Sequence, residues 1–228
     1  RKLSALRGFF GYLCHQINEL SENPTDNINL GSPKKSLPKY LSASESIRLL
    51  KNIQSDFYER DYCIIVFFLN CGMRLAELIT INLGDFKDDT IKITGKGNKQ
   101  SSIYLNKACK DAVDAYLRNE RPYNNLKDDA RQALFVSRNG NRITRRRVQQ
   151  IVEETLKKCG LGDKHYSTHK LRHTAATLMY RYGNVDIRVL QEILGHENLG
   201  TTQIYTHVDS EKIKNAIDAN PVSEIKIK

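Results

Sequence analysis

The stretch Thr168-His169-Lys170-Leu171-Arg172-His173 carries two imidazoles and a guanidinium side by side. Leu171, Ala175, Leu178, Met179 and Tyr182 recur at helical spacing and predict a buried stripe. That sets His169, Arg172 and His173 on the polar side of one helix. A guanidinium offers a planar fork of donors to an anionic oxygen, and an imidazole can take or give a proton near neutral pH. Zinc is the rival chemistry, because His169 and His173 stand at i, i+4. The zincin pattern needs Glu directly after the first His, and here Lys170 occupies that place. Arg172 would also set a fixed positive charge beside the cation. Further on, Gly195 suits a helix C-terminus and leaves His196 on the connecting turn. Tyr205 follows on a polar, Thr-rich segment running from Thr201 to His207. By itself Tyr205 also fits a half-buried tyrosine on a terminal helix.

Several elements must position these groups. Residues 59–70 are apolar on several sides and predict a buried helix ending near Gly72. A helix restarts over Arg74 to Thr80, with Leu75, Leu78 and Ile79 inward and Arg74 and Glu77, three apart, together on another face. Thr90 to Thr94 and Ser102 to Leu105 alternate with period two around Gly95-Lys96-Gly97-Asn98, which predicts a β-hairpin with Lys96 at or near its tip. Ser42 or Ser44 can cap a helix containing Ile47, Leu50 and Ile53. Thr144 can cap another, with core face Val148, Ile151, Val152, Leu156 and Cys159. Arg138, Arg142, Arg145, Arg146 and Arg147 cluster at the start of that helix with no acid among them. Cations are unfavourable beside the positive end of a helix dipole, and a polyanion would remove the conflict. The cluster therefore reads as DNA-facing, a solvated arginine face being the alternative.

Leu3, Leu6, Phe10, Leu13 and Ile17 predict a first helix that stops before Ser21-Glu22-Asn23-Pro24. Residues 31–40 read as a linker: two prolines forbid a continuous helix, and Lys34, Lys35 and Lys39 have no local acids. Further helices are expected near 168–182, 186–194, 201–208 and 210–219. The fold class is mainly α with a small antiparallel β-sheet (α+β).

The 228 residues carry a formal net charge of +10, a balance that attracts polyanions through phosphate contacts and counterion release. No stretch approaches the roughly 20 apolar residues that span a bilayer, so neither a membrane protein nor a membrane partner is expected. The five cysteines form no C-x-x-C pair and read as small core residues of a reducing cytoplasm. The first residues already read as helix, so the numbering is expected to begin inside a longer protein.

Five motifs together resemble the tyrosine recombinase (phage integrase) family, most closely its bacterial Xer-type members. They are Cys71-Gly72-Met73-Arg74-Leu75-Ala76-Glu77-Leu78, Gly95-Lys96-Gly97-Asn98-Lys99, His169-Lys170-Leu171-Arg172-His173, Leu194-Gly195-His196, and Thr201 through Val208. The resemblance spans about residues 1 to 210, and the motifs stand in the family's order. It implies that Arg74 and Arg172 clamp a scissile phosphate and that Lys96, His169 and His196 complete the site. It implies Tyr205 as nucleophile, with Glu77 orienting Arg74. It implies no cofactor and no metal. The partners it implies are double-stranded DNA and a homo- or hetero-tetramer of related subunits. Residues 1–30 would be the C-terminal remnant of a core-binding helical domain and 41–228 the catalytic domain. Residues 210–219, a capped amphipathic helix, would dock on a neighbouring protomer. Otherwise Ile213, Ala216 and Ile217 pack on their own domain.

Charge on a phosphodiester under attack is often stabilised by divalent ions held by carboxylates. This residue set contains one acid, so guanidiniums and imidazole N–H groups would have to serve instead. A tyrosine, with an ordinary pKa of about 10, needs positive surroundings or a base; His169 is the candidate. Lys96, lowered by neighbouring arginines, would protonate the leaving 5′-oxygen. The product would be a 3′-phosphotyrosine that conserves the bond energy, so that religation needs no ATP. A type IB topoisomerase would use a similar set. A helical DNA-binding regulator would explain the charge but leave the six chemical residues together as accident.

Overall fold

The computed structural model describes residues 2–28, 40–94, 100–164, 166–183 and 210–223. Residues 31–39, the hairpin tip with Lys96, the expected helices 186–194 and 201–208, His196 and Tyr205 lie outside the described residues, as do the side chains of Ser210 to Ile213. The chain divides into two compact units, Arg1–Pro38 and Lys39–Lys228.

The first unit holds α1 (Lys2–Tyr12), continued by a π-helical turn over Leu13–Ile17. Asn18, left-handed at φ 57°, ends it, and its N–H bonds to the Leu13 carbonyl. The expected apolar residues are present, but no α1 side chain is buried, and Leu6, Phe9, Tyr12 and Ile17 are exposed. The Arg7 guanidinium ties the helix to the Ile28 carbonyl at 2.8 Å.

The second unit is built around α3 (Tyr58–Asn70), whose residues from Arg60 to Asn70 are all buried. A helix apolar on every side must be covered on every side. Its covers include α2 (Ala43–Lys51), α5 (Lys107–Asn119), α7 (Arg145–Lys158) and α8 (Thr168–Tyr182). Ser42, not Ser44, caps α2: its hydroxyl accepts the Glu45 N–H while the Glu45 carboxylate accepts the Ser42 N–H at 2.8 Å. Thr144 caps α7 by accepting the Arg147 N–H, and all five residues of the expected α7 core face are buried. Gly72 turns the chain after α3 with φ 60°, a left-handed conformation that costs glycine little. The short α4 (Leu75–Thr80) then begins at Arg74.

Three antiparallel strands lie in the order β1 (Phe86–Lys87), β2 (Thr90–Thr94), β3 (Gln100–Tyr104). Ile91 pairs with Ile103 and Thr94 with Gln100, and Ile91, Ile93 and Ile103 face the core. β3 begins two residues earlier than its apolar alternation. The two-residue β1 carries no sequence signal of its own. A short α6 (Asp128–Gln132) precedes the arginine-rich segment. The last described helix, α9 (Ser210–Asp218), packs on the same chain. Its Ile217 meets Ala175 and Met179 of α8, and Ala216 is buried too. Asn220 donates to the Leu69 carbonyl at 2.9 Å, pinning the segment after α9 to the end of α3. Among the described residues no helix is long and apolar enough to cross a membrane.

Candidate active site

Arg74, Glu77 and Arg172 meet at the junction of α3, α4 and α8. Glu77 is 3% exposed. One of its carboxylate oxygens accepts the Arg74 backbone N–H at 2.7 Å, which closes the first turn of α4. The other accepts from the Arg74 guanidinium at 2.7 Å. Arg172 approaches the same carboxylate at 3.9 Å and donates to the Gly72 carbonyl at 2.6 Å. The turn that starts α4 thus grips a guanidinium arriving from a helix 100 residues later.

The two arginines sit in different surroundings. The Arg74 side chain is 45% exposed, and that of Arg172 is 9% exposed. The α8 stripe was expected to leave Arg172 on a polar, open face; it is buried instead. Its guanidinium donates to the carbonyl of the turn before α4 and lies in ion-pair range of a carboxylate on α4, long-range partners that helical spacing cannot show. Burial first, then the like charge of Arg74, lowers Arg172 to about 10 against the opposing pull of Glu77. It remains a cation at neutral pH. Tyr182, expected in the stripe, is 53% exposed, while Leu171, Ala175, Leu178 and Met179 are buried as expected.

His169 stands exposed at the start of α8, one turn before Arg172. His173 is half-buried. Burial, with Lys170 and His169 nearby, lowers its pKa from the usual histidine value. Its ring meets Tyr40 edge-on at 6.1 Å.

The arginine cluster divides. Arg138, Arg145 and Arg146 are exposed. Arg147 pairs with Glu154 at 3.3 Å. Arg142 is committed internally: its guanidinium donates to the carbonyls of Ile79, Ile81 and Asp129 and to Asn82 Oδ1, the last at 2.6 Å. It stitches the end of α4 to the segment before α7. Two buried arginines carry no sequence signal. Arg60 donates to Asp61 and to the Val136 carbonyl. Arg121 donates to backbone carbonyls that include Ala130, Ala133 and Leu134. Each holds carbonyls of the segment between α6 and α7, which is otherwise paired only through the isolated bridges Asn82–Ala133 and Val136–Arg142.

This architecture is that of DNA-acting recombinases of known structure. The XerH site-specific recombinase, solved bound to palindromic difH substrate as a post-cleavage complex, superposes with a TM-score of 0.70. It is 29% identical, over 94% of this chain and 64% of that one. The integrase of the Tn1549 transposon shares the fold with a TM-score of 0.71 at 20% identity, over 93% of this chain and 76% of that one. In sequence, the chain is 52% identical to tyrosine recombinase XerC of Caldanaerobacter subterraneus subsp. tengcongensis over 98% of its own length. It is 37% identical to tyrosine recombinase XerC of Vibrio cholerae over 95% of its length and 69% of that protein. Residues 39–212 match the model of the phage integrase family, and the chain belongs to that family. It spans 63% of the length of the Caldanaerobacter relative.

Proposed function

We propose that this chain is the DNA-cleaving part of a tyrosine-type site-specific recombinase, working in the cytoplasm on double-stranded DNA. The observation that carries the reading is the convergence of Arg74 and Arg172 on Glu77. Among the described residues, two guanidiniums gather on one carboxylate, an arrangement suited to facing one phosphate. The carboxylate holds Arg74 in orientation before substrate arrives, and the Gly72 carbonyl does the same for Arg172. Donors fixed in advance need not reorganise as charge builds on phosphorus, and each is typically worth about 100- to 1,000-fold in rate.

In this reading Tyr205 attacks the phosphorus and its proton passes to His169. His196 adds a donor to the phosphate oxygens. Lys96 protonates the departing 5′-oxygen. The bond to the 5′-oxygen breaks as the bond to the phenol oxygen forms, so the 3′-phosphotyrosine keeps the energy of the phosphodiester. Attack by the 5′-hydroxyl of a partner strand reverses the step and completes the exchange. The exposed Arg138, Arg145 and Arg146, the half-buried Arg147, and Lys34, Lys35 and Lys39 would contact the DNA backbone; Arg142 keeps its internal role. Residues 1–30 would then end a DNA-binding domain joined by the linker 31–40 to the catalytic domain. Related subunits would assemble as a tetramer. The process served would be chromosome dimer resolution or the integration and excision of a mobile element.

The test uses DNA recovered with the full-length protein, whose sequence identifies the site. A duplex of that site, nicked beside the cleavage point, lets the short 5′-hydroxyl fragment diffuse away. A covalent protein–DNA band on a denaturing gel, absent from Tyr205→Phe and indifferent to EDTA, is the expected result. A retarded native complex with no covalent band would overturn the reading in favour of a regulator.

A further inference from the structure

Tyr40 and Leu41, where the chain enters the second unit after the linker, are fastened to α8 before α2 begins. The Leu41 N–H donates to the Thr174 hydroxyl at 3.0 Å, and both residues are fully buried. The same hydroxyl donates to the Lys170 carbonyl one turn back at 2.9 Å. The Tyr40 carbonyl accepts from the Tyr166 hydroxyl at 3.2 Å, close to the start of α8. The Tyr40 ring meets the edge of His173, and the Arg181 guanidinium lies over that ring at 5.2 Å. Leu41 has no strand beside it, so its buried N–H needs a side-chain acceptor, and Thr174 supplies it.

This fastening acts on the helix that carries His169 and Arg172. Thr174 stands two residues after Arg172 and one after His173. α8 is held at Arg172 by the Gly72 carbonyl and at Ala175 and Met179 by Ile217 of α9. The Leu41 bond holds it from the side of the incoming chain. A helix with three such ties has a fixed rotation and a fixed register along its axis. With the Leu41 tie removed, the helix loses its fixing on the side of the incoming chain, while Leu171 and Leu178 stay in the core and limit the change to a small shift.

We infer that Thr174, supported by Tyr40 and His173, is a positioning latch. It sets the angle of α8 and so the aim of His169 and Arg172 at the scissile phosphate; this rests on the recombinase reading above. Thr174 touches no substrate. It acts by tying the incoming segment to the helix that does.

Single-turnover cleavage of the nicked duplex, with the full chain at saturating protein, separates positioning from folding. A residue that only supports folding changes the amplitude of the reaction, because fewer molecules are competent. A positioning residue changes the rate constant of the competent ones. Thr174→Val keeps the volume and removes the hydroxyl. It is expected to lower the rate constant about tenfold or more, since displacements near 1 Å in an active site can cost about 100-fold. DNA affinity should hold, and Thr174→Ser should restore the rate. Tyr40→Leu keeps the Leu41 bond and removes the ring contacts, and should slow cleavage in the same direction. A Thr174→Val protein with an unaltered rate constant and reduced amplitude overturns the latch, as does a slow rate that Ser fails to restore. If Thr174→Val does not fold, Tyr40→Leu decides by the same rate constant. An unmodified chain that forms no adduct overturns the recombinase reading itself.

Discussion

Glu77→Gln is the sharpest perturbation of the arginine junction. The carboxylate accepts two hydrogen bonds at 2.7 Å, from the backbone and the guanidinium of Arg74, and faces Arg172 at 3.9 Å. Glutamine keeps the shape but offers one acceptor oxygen. Its amide nitrogen must then point at an Arg74 donor in either orientation. One charged hydrogen bond is lost, at about 1.5–3 kcal/mol. The ion pair with Arg74 adds little, about 0–1 kcal/mol, because that side chain is 45% exposed and screened. Arg172 is different: its side chain stays buried beside the like charge of Arg74 and loses the charge of Glu77. The sum is a loss of about 2–4 kcal/mol in unfolding free energy. Urea unfolding should show a lower midpoint with an unchanged slope. Single-turnover cleavage should fall by about 100- to 1,000-fold, because both guanidiniums lose their fixed aim. Glu77→Asp, which keeps the charge, should recover part of both. A Gln variant with native midpoint and native cleavage rate would refute the claim that this carboxylate orients the clamp.

The arginine cluster should split by assay. Arg142→Ala removes the guanidinium donor from the Ile79 carbonyl and from Asn82 Oδ1, while the Ile81 carbonyl keeps the Leu134 N–H, and should cost about 1–3 kcal/mol in stability. Arg145→Ala and Arg146→Ala should leave urea midpoints unchanged, yet weaken DNA binding and reduce the slope of log affinity against log salt by about one each. His173 should titrate below the usual histidine value in an NMR pH series. With its folded-state pKa depressed, the stability it contributes is fully present above the unfolded value near 6.5 and is lost as pH falls through the folded value. A His173→Gln chain should therefore lose less stability over that window. Burial pushes the Cys63 and Cys109 thiols well up. Alkylation of the native chain read by mass spectrometry should mark the partly exposed Cys14 first and these two only after denaturation.

What could be read from sequence follows the range of the interactions involved. The helix Thr168–Tyr182, the Thr144 cap and the presence of the two alternating strands depend on local spacing, and the spacing was sufficient. So was the pairing of Arg74 with Glu77, which lie three apart on one turn. The burial of Arg172 was not legible, because its acceptor, the Gly72 carbonyl, arrives from a turn 100 residues earlier. Arg142 shows the same limit from the other side. Among five clustered arginines it looks like its neighbours, and only the irregular backbone after α4 makes it internal. Arg60 and Arg121 are buried against carbonyls between Ala130 and Val136, far from either in sequence or unmarked by spacing, and left no pattern to find. Tyr182 continues the α8 stripe by geometry, yet it lies near the helix end and stays exposed. β1 is two residues long, too short for any alternation to register.

The side chain to which the DNA becomes attached is the decisive observation. The adduct trapped on the nicked duplex should be digested and its peptides sequenced by mass spectrometry. The expected product carries a 3′-linked nucleotide on the phenol oxygen of Tyr205, with a free 5′-hydroxyl on the released strand. Attachment at any other side chain, or a released strand ending in 5′-phosphate, would contradict it.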